Sequence, residues 1–420
     1  MADRSETFRA PKGTRDVLPP ESARWEALLA RFATTVEGAG FGLLQSPMFE
    51  EIGVFRRMGE GTDVVRKEMY DFLDKGDRHM ALRPEGTASV VRAFVEHRPP
   101  TPWKVWYAAP SFRYEAPQAA RYRQHHQLGV EAIGSPDPDL DVEVIALLAG
   151  FYEAIGLREV DLVVNSMGTA DDRAAFVRTL QHYLVDHIDE LAADDREKVE
   201  QHPLRVLDSK RPATQAVTDG APKIIDTLSP EAQEHFARVQ SGLDALGIVH
   251  RIEPRLVRGL DYYTHTTFEF QSRALGAAQN TIGGGGRYDG LVEALGGPAT
   301  PGIGFGSGIE RVLLSCDAEG VFDAPATSVD VFVVDVTGGD HARDLTFELR
   351  RAGISADRAY DRRSMKAQMK AADRSGATFV VIVGEDEVAA GTVTVRDLRG
   401  GGGQTSVDRA AVVDHLRALR

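Results

Sequence analysis

Apolar positions along the chain change their period several times, and each change marks an element. From Glu21 to Gly38, Trp25, Leu28, Leu29, Phe32 and Val36 recur at intervals of three and four, predicting a long amphipathic helix closed by Gly38 or Gly40. Before it, PKGTRDVLP is an extended, turn-rich lead-in. After it, FGLLQSPMFEE reads as a short strand broken at Pro47, because proline tolerates a strand edge or end and not its centre. Gly59 to Asp74 reads as a glycine-loosened loop and a Tyr/Phe strand. RHMALRPEGTASVVRAFVEH predicts a strand ending near Arg83, a turn at Pro84-Glu85-Gly86, and a helix capped by Thr87.

Between Ser111 and Gly134 the pattern is that of a hairpin: SFRYE, a turn-like APQAA, then a second run from Arg121 to Ile133. Strand residues alternate in direction, so Arg121, Arg123, His125, Gln127 and Glu131 fall on one side, with Tyr122, Leu128 and Val130 on the other. Arg113 and Glu115 are in phase on the first strand. SPDPDLDVEVIALLAGFYEAIGL opens with a turn and continues as a helix with acidic residues in its first turn, as the helix dipole favours. The stretch 168–247 is polar, helical in pattern and almost free of β-type runs, which predicts a helical insertion into a larger fold.

LVRGLDYYTHTTFEF restores strand character, with Tyr263, His265, Thr267 and Glu269 alternating against Tyr262, Thr264, Phe268 and Phe270. Gly283 to Gly308 then holds 11 glycines in 26 residues, a density that lets backbone approach a ligand closely. Its second half, GIGFGSGIERVLL, is a glycine-rich strand entering a helix, with Ser307 and Glu310 at capping-box spacing and Arg311 in the first turn. These glycines form neither a dinucleotide fingerprint nor a P-loop, so any bound nucleotide is expected to be held by arginines. From Asp330 strands and helices alternate as in a compact α/β domain. The expected fold class is α+β: an antiparallel sheet flanked by helices over 1–325, interrupted by the insertion at 168–247, with an α/β domain at 326–420.

Composition sharpens this picture in three ways. The net charge of −14 argues against non-specific coating of nucleic acid, yet residues 326–420 carry 14 basic and 14 acidic side chains, so the acidity lies upstream of the tail. Within the tail, Asp361 to Arg374 has five basic and two acidic residues, a balance that fits equally a nucleic-acid surface and an ordinary solvated helix face. The single cysteine, Cys316, excludes an internal disulfide and a cysteine-based metal site. No apolar run reaches membrane-spanning length and the first residues lack a hydrophobic export segment, so a cytoplasmic protein without membrane contact is expected.

The hairpin face gathers arginines, carboxylates, an amide and an imidazole, which suits a polyanion beside a small cationic or hydrogen-bonding molecule. FRYE followed by RYRQHHQLGVE resembles the second motif of class II aminoacyl-tRNA synthetases, GIGFGSGIERVLL the third, and the helix and strand ending at Pro47 the first. LVRGLDYY and GGRYDGL are similar to two signatures of the histidyl-tRNA synthetase family, and the five segments in order extend the resemblance over nearly the whole chain.

The resemblance implies a class II synthetase-like catalytic domain and an anticodon-binding tail. It further implies a homodimeric ligase that activates L-histidine with ATP and Mg2+ and transfers it to the 3′ end of tRNA(His), with no structural metal in the protein. Arg258 and Arg113 would be catalytic, both beside the α-phosphate, Arg258 doing work that a metal ion does in many relatives. Glu115, Arg121, His125 and Arg311 would complete the ATP site. Glu131 and Tyr263 would read the two imidazole nitrogens, with Tyr262 and Tyr288 close by, while Glu85, Thr87 and Gln127 hold the ammonium. Two positions depart from the family pattern: His125 stands where a phenylalanine commonly stacks on adenine, and Ala116 where relatives can carry an arginine for the tRNA acceptor end, a contact that Gln118 or the insertion would have to replace. The rival reading is a non-catalytic, histidine-binding paralogue of the regulatory subunit of ATP phosphoribosyltransferase, which would lack the tail and usually the reactive arginines.

Overall fold

The helix expected from the Trp25 to Val36 spacing spans Glu21–Glu37 (α1) and buries Leu28, Phe32 and Val36. The structure is a computed structural model that describes residues 7–59, 64–115, 121–207, 209–257, 262–276, 280–325, 328–401 and 403–419. Arg258, Ala116 and Gln118 lie outside the described residues. The chain divides into two units, Met1–Ala324 and Pro325–Arg420.

In the first unit α1 is followed by β1 (Gly42–Leu43), β2 (Phe49–Glu51), β3 (Asp71–Leu73), β4 (His79–Leu82), α2 (Thr87–His97), β5 (Trp103–Phe112), β6 (Gln124–Ile133) and α3 (Pro138–Ala154). Then come β7 (Val160–Ser166), α4 (Ala170–Asp186), α5 (Pro230–Ala245), β8 (His250–Ile252), β9 (Thr264–Ser272), β10 (Thr281–Arg287), β11 (Gly302–Gly308) and α6 (Ile309–Glu319), with shorter helical turns between them. Eight strands form one sheet in the order β1-β5-β6-β11-β10-β9-β7-β8. From β5 to β7 neighbours are antiparallel, while the edge strands β1 and β8 run parallel to theirs. Pro47 lies where the chain leaves this sheet, because β2 belongs to a separate three-stranded sheet, β2-β4-β3.

One face of the large sheet is covered by helices. Phe32 of α1, Phe151 of α3, Phe236 of α5 and Val312 of α6 pack against Val130, Phe268 and Phe305 in a single apolar cluster. Each such buried side chain contributes about 1.5–3 kcal/mol. On the other face α2 packs Val91 and Phe94 against Val105 and Tyr107 near β5, leaving the surface of β6, β11, β10 and β9 free for a cavity. Between β7 and β8 the helical stretch has two parts. Phe176, Leu180, Leu184, Val206 and Leu228 form a core of their own, whereas α5 lays Phe236, Val239 and Leu243 into the main core.

Three local expectations are corrected. Thr87 does not cap α2: the N-cap is Gly86, and the Glu85 carboxylate instead accepts the N–H groups of Thr87 and Ala88 at 2.7 and 2.8 Å. Ser307 and Glu310 form no capping box; the Ser307 hydroxyl meets Tyr152 and the Ile282 carbonyl, and Glu310 turns toward β6. The alternation along β9 breaks because Thr264 pairs with Arg287 and Thr267 with Gly286, so His265 and Thr266 form a bulge in which His265 adopts φ +43°.

The second unit comprises β12 (Val331–Asp335), α7 (Asp340–Arg351), β13 (Ala356–Arg358), α8 (Met365–Arg374), β14 (Phe379–Val383), β15 (Thr392–Asp397), β16 (Gln404–Asp408) and α9 (Val412–Ala418). Its sheet has the order β13-β12-β14-β15-β16, parallel across the first three strands and antiparallel beyond. The chain leaves β12 for β13 on one side and later returns to β14 on the other, so a crevice opens at the carboxyl end of β12, where such sheets bind ligands. A cavity of about 210 Å³ lies there.

Candidate active site

Regular pairing of β6 with β5 begins at Gln124, opposite Phe112, and from there alternation sorts side chains cleanly. Leu128, Val130 and Ala132 enter the core, while His125 and Gln127 line a cavity of about 360 Å³ on the opposite face. Arg113, Glu115, Arg121, Tyr263 and Arg311 line the same cavity. Before Gln124 the alternation fails. Tyr122, expected on the packing side, joins the cavity wall, and Arg123 turns away to lie 3.8 Å from the centroid of the Tyr114 ring.

Each cavity arginine is held by an identifiable partner. Arg113 Nε donates to the Pro84 carbonyl at 2.9 Å, and Arg311 Nη1 to the Thr281 carbonyl at 2.8 Å. Arg121 pairs with Glu115 at 2.8 Å, its side chain 45% exposed. His125 sits among these cations. Burial, then the charges of Arg113, His126, Arg311 and Arg121, push its imidazole down to about 3, so it is a neutral ring at physiological pH. Strands β10 and β11 supply glycines to the floor: Gly284 pairs with Gly306, and at Gly306 and Gly308 no side chain stands between the backbone and an occupant, whereas a Cβ at Gly283 would point to Tyr152 in the core.

Beside this cavity lies a buried knot of polar groups. Glu131 is fully buried and accepts the Tyr288 hydroxyl at 2.6 Å, the Thr87 hydroxyl at 2.8 Å and the Tyr107 hydroxyl at 3.4 Å. Burial pushes its carboxyl up to about 8, although those hydrogen bonds oppose the shift. Burial likewise raises Glu85, whose bonds to the start of α2 lower it only in part. Gly304 faces Glu131 across the β6/β11 ladder, and a Cβ there would fall 1.9 Å from the carboxylate oxygen. Gly129 likewise leaves room for the Tyr107 ring, 2.2 Å from where its Cβ would stand. Tyr262 and Tyr263 lie ring against ring at 4.6 Å, and Tyr262 meets Tyr288 edge-on at 6.0 Å. Tyr263 lines the open cavity and the tyrosine pair thus joins the two regions.

Of the residues singled out in the sequence, Arg113, Glu115, Arg121, His125, Gln127, Tyr263 and Arg311 meet in the open cavity. Glu85, Thr87, Glu131, Tyr262 and Tyr288 meet in the adjoining knot. The sequence reading missed Tyr107, whose only signal was a glycine, Gly129, directly opposite it in the hairpin. It also missed Glu269 and Thr281, cavity residues on β9 and β10 whose carboxylate and hydroxyl lie 3.1 Å apart. Among the described residues no group of three or more His, Cys, Asp or Glu is placed to hold a metal ion.

This site has counterparts in known proteins. Residues 13–312 match the family model described as histidyl-tRNA synthetase, and residues 330–419 match that of an anticodon binding domain. The histidine--tRNA ligase of Moorella thermoacetica is 49% identical over 416 residues, covering 98% of each chain. That of Halothermothrix orenii is 45% identical over 419 residues, covering 98% of this chain and 99% of the other. The crystal structure of apo S. aureus histidyl-tRNA synthetase superposes with a TM-score of 0.83 at 36% identity, covering 98% of this chain and all of that one. With both domains matched and an arginine-lined sheet beside a buried carboxylate, the chain belongs to the histidyl-tRNA synthetase family.

Proposed function

We propose that this protein activates L-histidine with ATP and transfers it to the 3′ end of tRNA(His). The observation that carries this reading is the adjacency of the two regions, three arginines and a neutral imidazole on an open sheet and a buried carboxylate ringed by hydroxyls. ATP lies on the sheet with Arg113 against the α-phosphate, Arg121 and Arg311 on other phosphates or the adenine, Glu115 at the adenine edge and His125 stacked on it. Histidine's ammonium is held by Glu85, Thr87 and Gln127, and its two ring nitrogens by Glu131 and Tyr263, with Tyr262 and Tyr288 closing the slot. A pocket that must satisfy two polar edges rejects apolar analogues, because its own groups would be left unpaired.

The histidine carboxylate attacks the α-phosphorus and pyrophosphate leaves; the tRNA terminal hydroxyl then attacks the adenylate carbonyl and AMP leaves. The chain's part is positioning and neutralising developing charge, to which Arg258 also belongs in this reading. Mg2+ bound with ATP would supply further neutralisation of phosphate charge, and the cavity carboxylate Glu269 is an oxygen donor of the kind that would hold it.

The tail reads the anticodon. The crevice at the end of β12 is lined by Arg343, Arg358, Tyr360, Arg362 and Arg363, with the Arg358 guanidinium 4.7 Å from the exposed Tyr360 ring, an arrangement suited to stacking one splayed base and holding its phosphates. Homodimerisation is supported by Leu43, Met48, Phe49, Phe72 and Leu73, apolar side chains left exposed on β1, the small sheet and the link between them. The single, buried Cys316 suits the reducing cytoplasm, where this activity is placed. The test is ATP–pyrophosphate exchange with each of the twenty amino acids in turn. Exchange with histidine alone is expected, and exchange with another amino acid or with none overturns the reading.

A further inference from the structure

Strand β6 has a weak point at His126. The β6/β11 register runs Leu128 to Ser307 and Gln127 to Gly308, so the next position, opposite His126, is Ile309, where the chain has already become α6. On its other side His126 faces Pro110 of β5, whose carbonyl is turned away to accept from Arg83 Nε, so β5 offers the His126 N–H no acceptor. The neighbours of this residue are His125 and Gln127, the two β6 side chains that line the open cavity.

Glu310 fills the gap. Both of its carboxylate oxygens lie 3.1 Å from the backbone N of His126, and Oε1 also lies 2.9 Å from His126 Nδ1. The side chain of Glu310 is 6% exposed, and the His126 ring is braced on its far side by Trp25 of α1, edge-on at 4.8 Å. The residue after Glu310 is Arg311, anchored to Thr281 of β10. One carboxylate therefore ties the strand bearing His125 and Gln127 to the helix bearing Arg311.

We propose that Glu310 is a positioning residue: its carboxylate replaces the missing ladder partner of His126 and holds His125, Gln127 and Arg311 in one register across the cavity floor. What it provides is an acceptor oxygen at a fixed reach, and its charge is secondary. The inference rests on the adenylate-forming function proposed above.

The test uses the full-length protein and histidine-dependent ATP–pyrophosphate exchange. Glu310→Asp keeps the charge and shortens the reach by one methylene; Glu310→Gln removes the charge and keeps the acceptor. The expected result is a fall in kcat/KM for ATP of about 10- to 100-fold for Glu310→Asp and Glu310→Ala, with KM raised and kcat lowered, against less than about threefold for Glu310→Gln. His126→Ala, which leaves the backbone N–H in place, is expected to stay within about threefold of wild type. Hydrogen exchange at the His126 amide, read without reference to activity, should accelerate in Glu310→Asp and stay slow in Glu310→Gln.

A damaged Gln variant beside an active Asp variant overturns the proposal, because the charge would then be acting on a ligand directly. A His126→Ala variant as impaired as Glu310→Ala, or normal kinetics in Glu310→Ala, also overturns it. If the wild type exchanges with no amino acid, the functional reading fails, and the amide measurement still decides whether Glu310 completes the ladder.

Discussion

The open cavity and the buried knot beside it are built from the same kinds of residue, and they solve opposite problems. On the cavity side, arginine side chains keep contact with water, Arg121 being 45% exposed, and each is steadied by one carbonyl or carboxylate. In the knot, Glu131 has lost all contact with water and is surrounded by hydroxyl groups, and among the described residues no arginine is one of its hydrogen-bond partners. A solvated guanidinium surface tolerates changes in its occupant and binds by charge. A desolvated carboxylate is intolerant, since any unmatched hydrogen bond exposes the full cost of burial. In the function proposed above, general nucleotide binding and discrimination of one amino acid fall to separate dielectric environments.

The contrast can be broken or sharpened by substitution. The largest effect is expected from Gly304→Ala, which puts a methyl group 1.9 Å from the Glu131 oxygen and 2.4 Å from the Val130 carbonyl. It should cost about 3 kcal/mol of stability by urea denaturation and abolish histidine-dependent exchange. Near-wild-type stability would mean the knot is looser than drawn. Glu131→Gln should raise KM for histidine about 30- to 100-fold while changing KM for ATP less than about threefold, because the amide leaves a buried hydrogen-bond partner unmatched. Equal changes in both constants would dissolve the division between the two regions.

A third test reads the knot through pH. Glu131 titrates at about 8, above its usual 4.5, so the folded state holds this proton more tightly than the unfolded chain. Its contribution to stability is complete below about 4.5 and is lost as pH rises toward and through about 8. Denaturation curves of wild type and Glu131→Gln, collected across this window, should therefore diverge in favour of the glutamine variant as pH increases. Parallel curves would show that the carboxyl is not displaced. The smallest effect belongs to the open surface: Arg121→Ala should raise KM for ATP about three- to tenfold and leave stability within about 0.5 kcal/mol, because an exposed ion pair contributes little to folding. A larger loss of stability would make Arg121 part of the fold.

Much of the site was legible beforehand, and what was missed has physical causes. Glu131, Gln127 and His125 were found because a strand with period two carries its register in its own sequence. Thr87 was assigned to the wrong task because a cap can come from either side of a helix start, and the buried Glu85 competed for the same N–H groups. Tyr122 escaped because residues before a strand's first pairing obey no alternation. Glu310 was read as a local cap, whereas its partner is His126, 184 residues away along the chain.

Local pattern by itself determined the order of elements, the hairpin, the glycine-rich strands and the α/β tail, because hydrophobic period and turn chemistry act over a handful of neighbours. Only the tertiary structure decided that the arginines and the buried carboxylate occupy separate regions, that a bulge at His265 interrupts β9, and that a helix carboxylate completes the ladder of β6. Burial and cross-strand register depend on segments distant in sequence, and it is burial, through the loss of water, that moves Glu131 up to about 8 and His125 down to about 3.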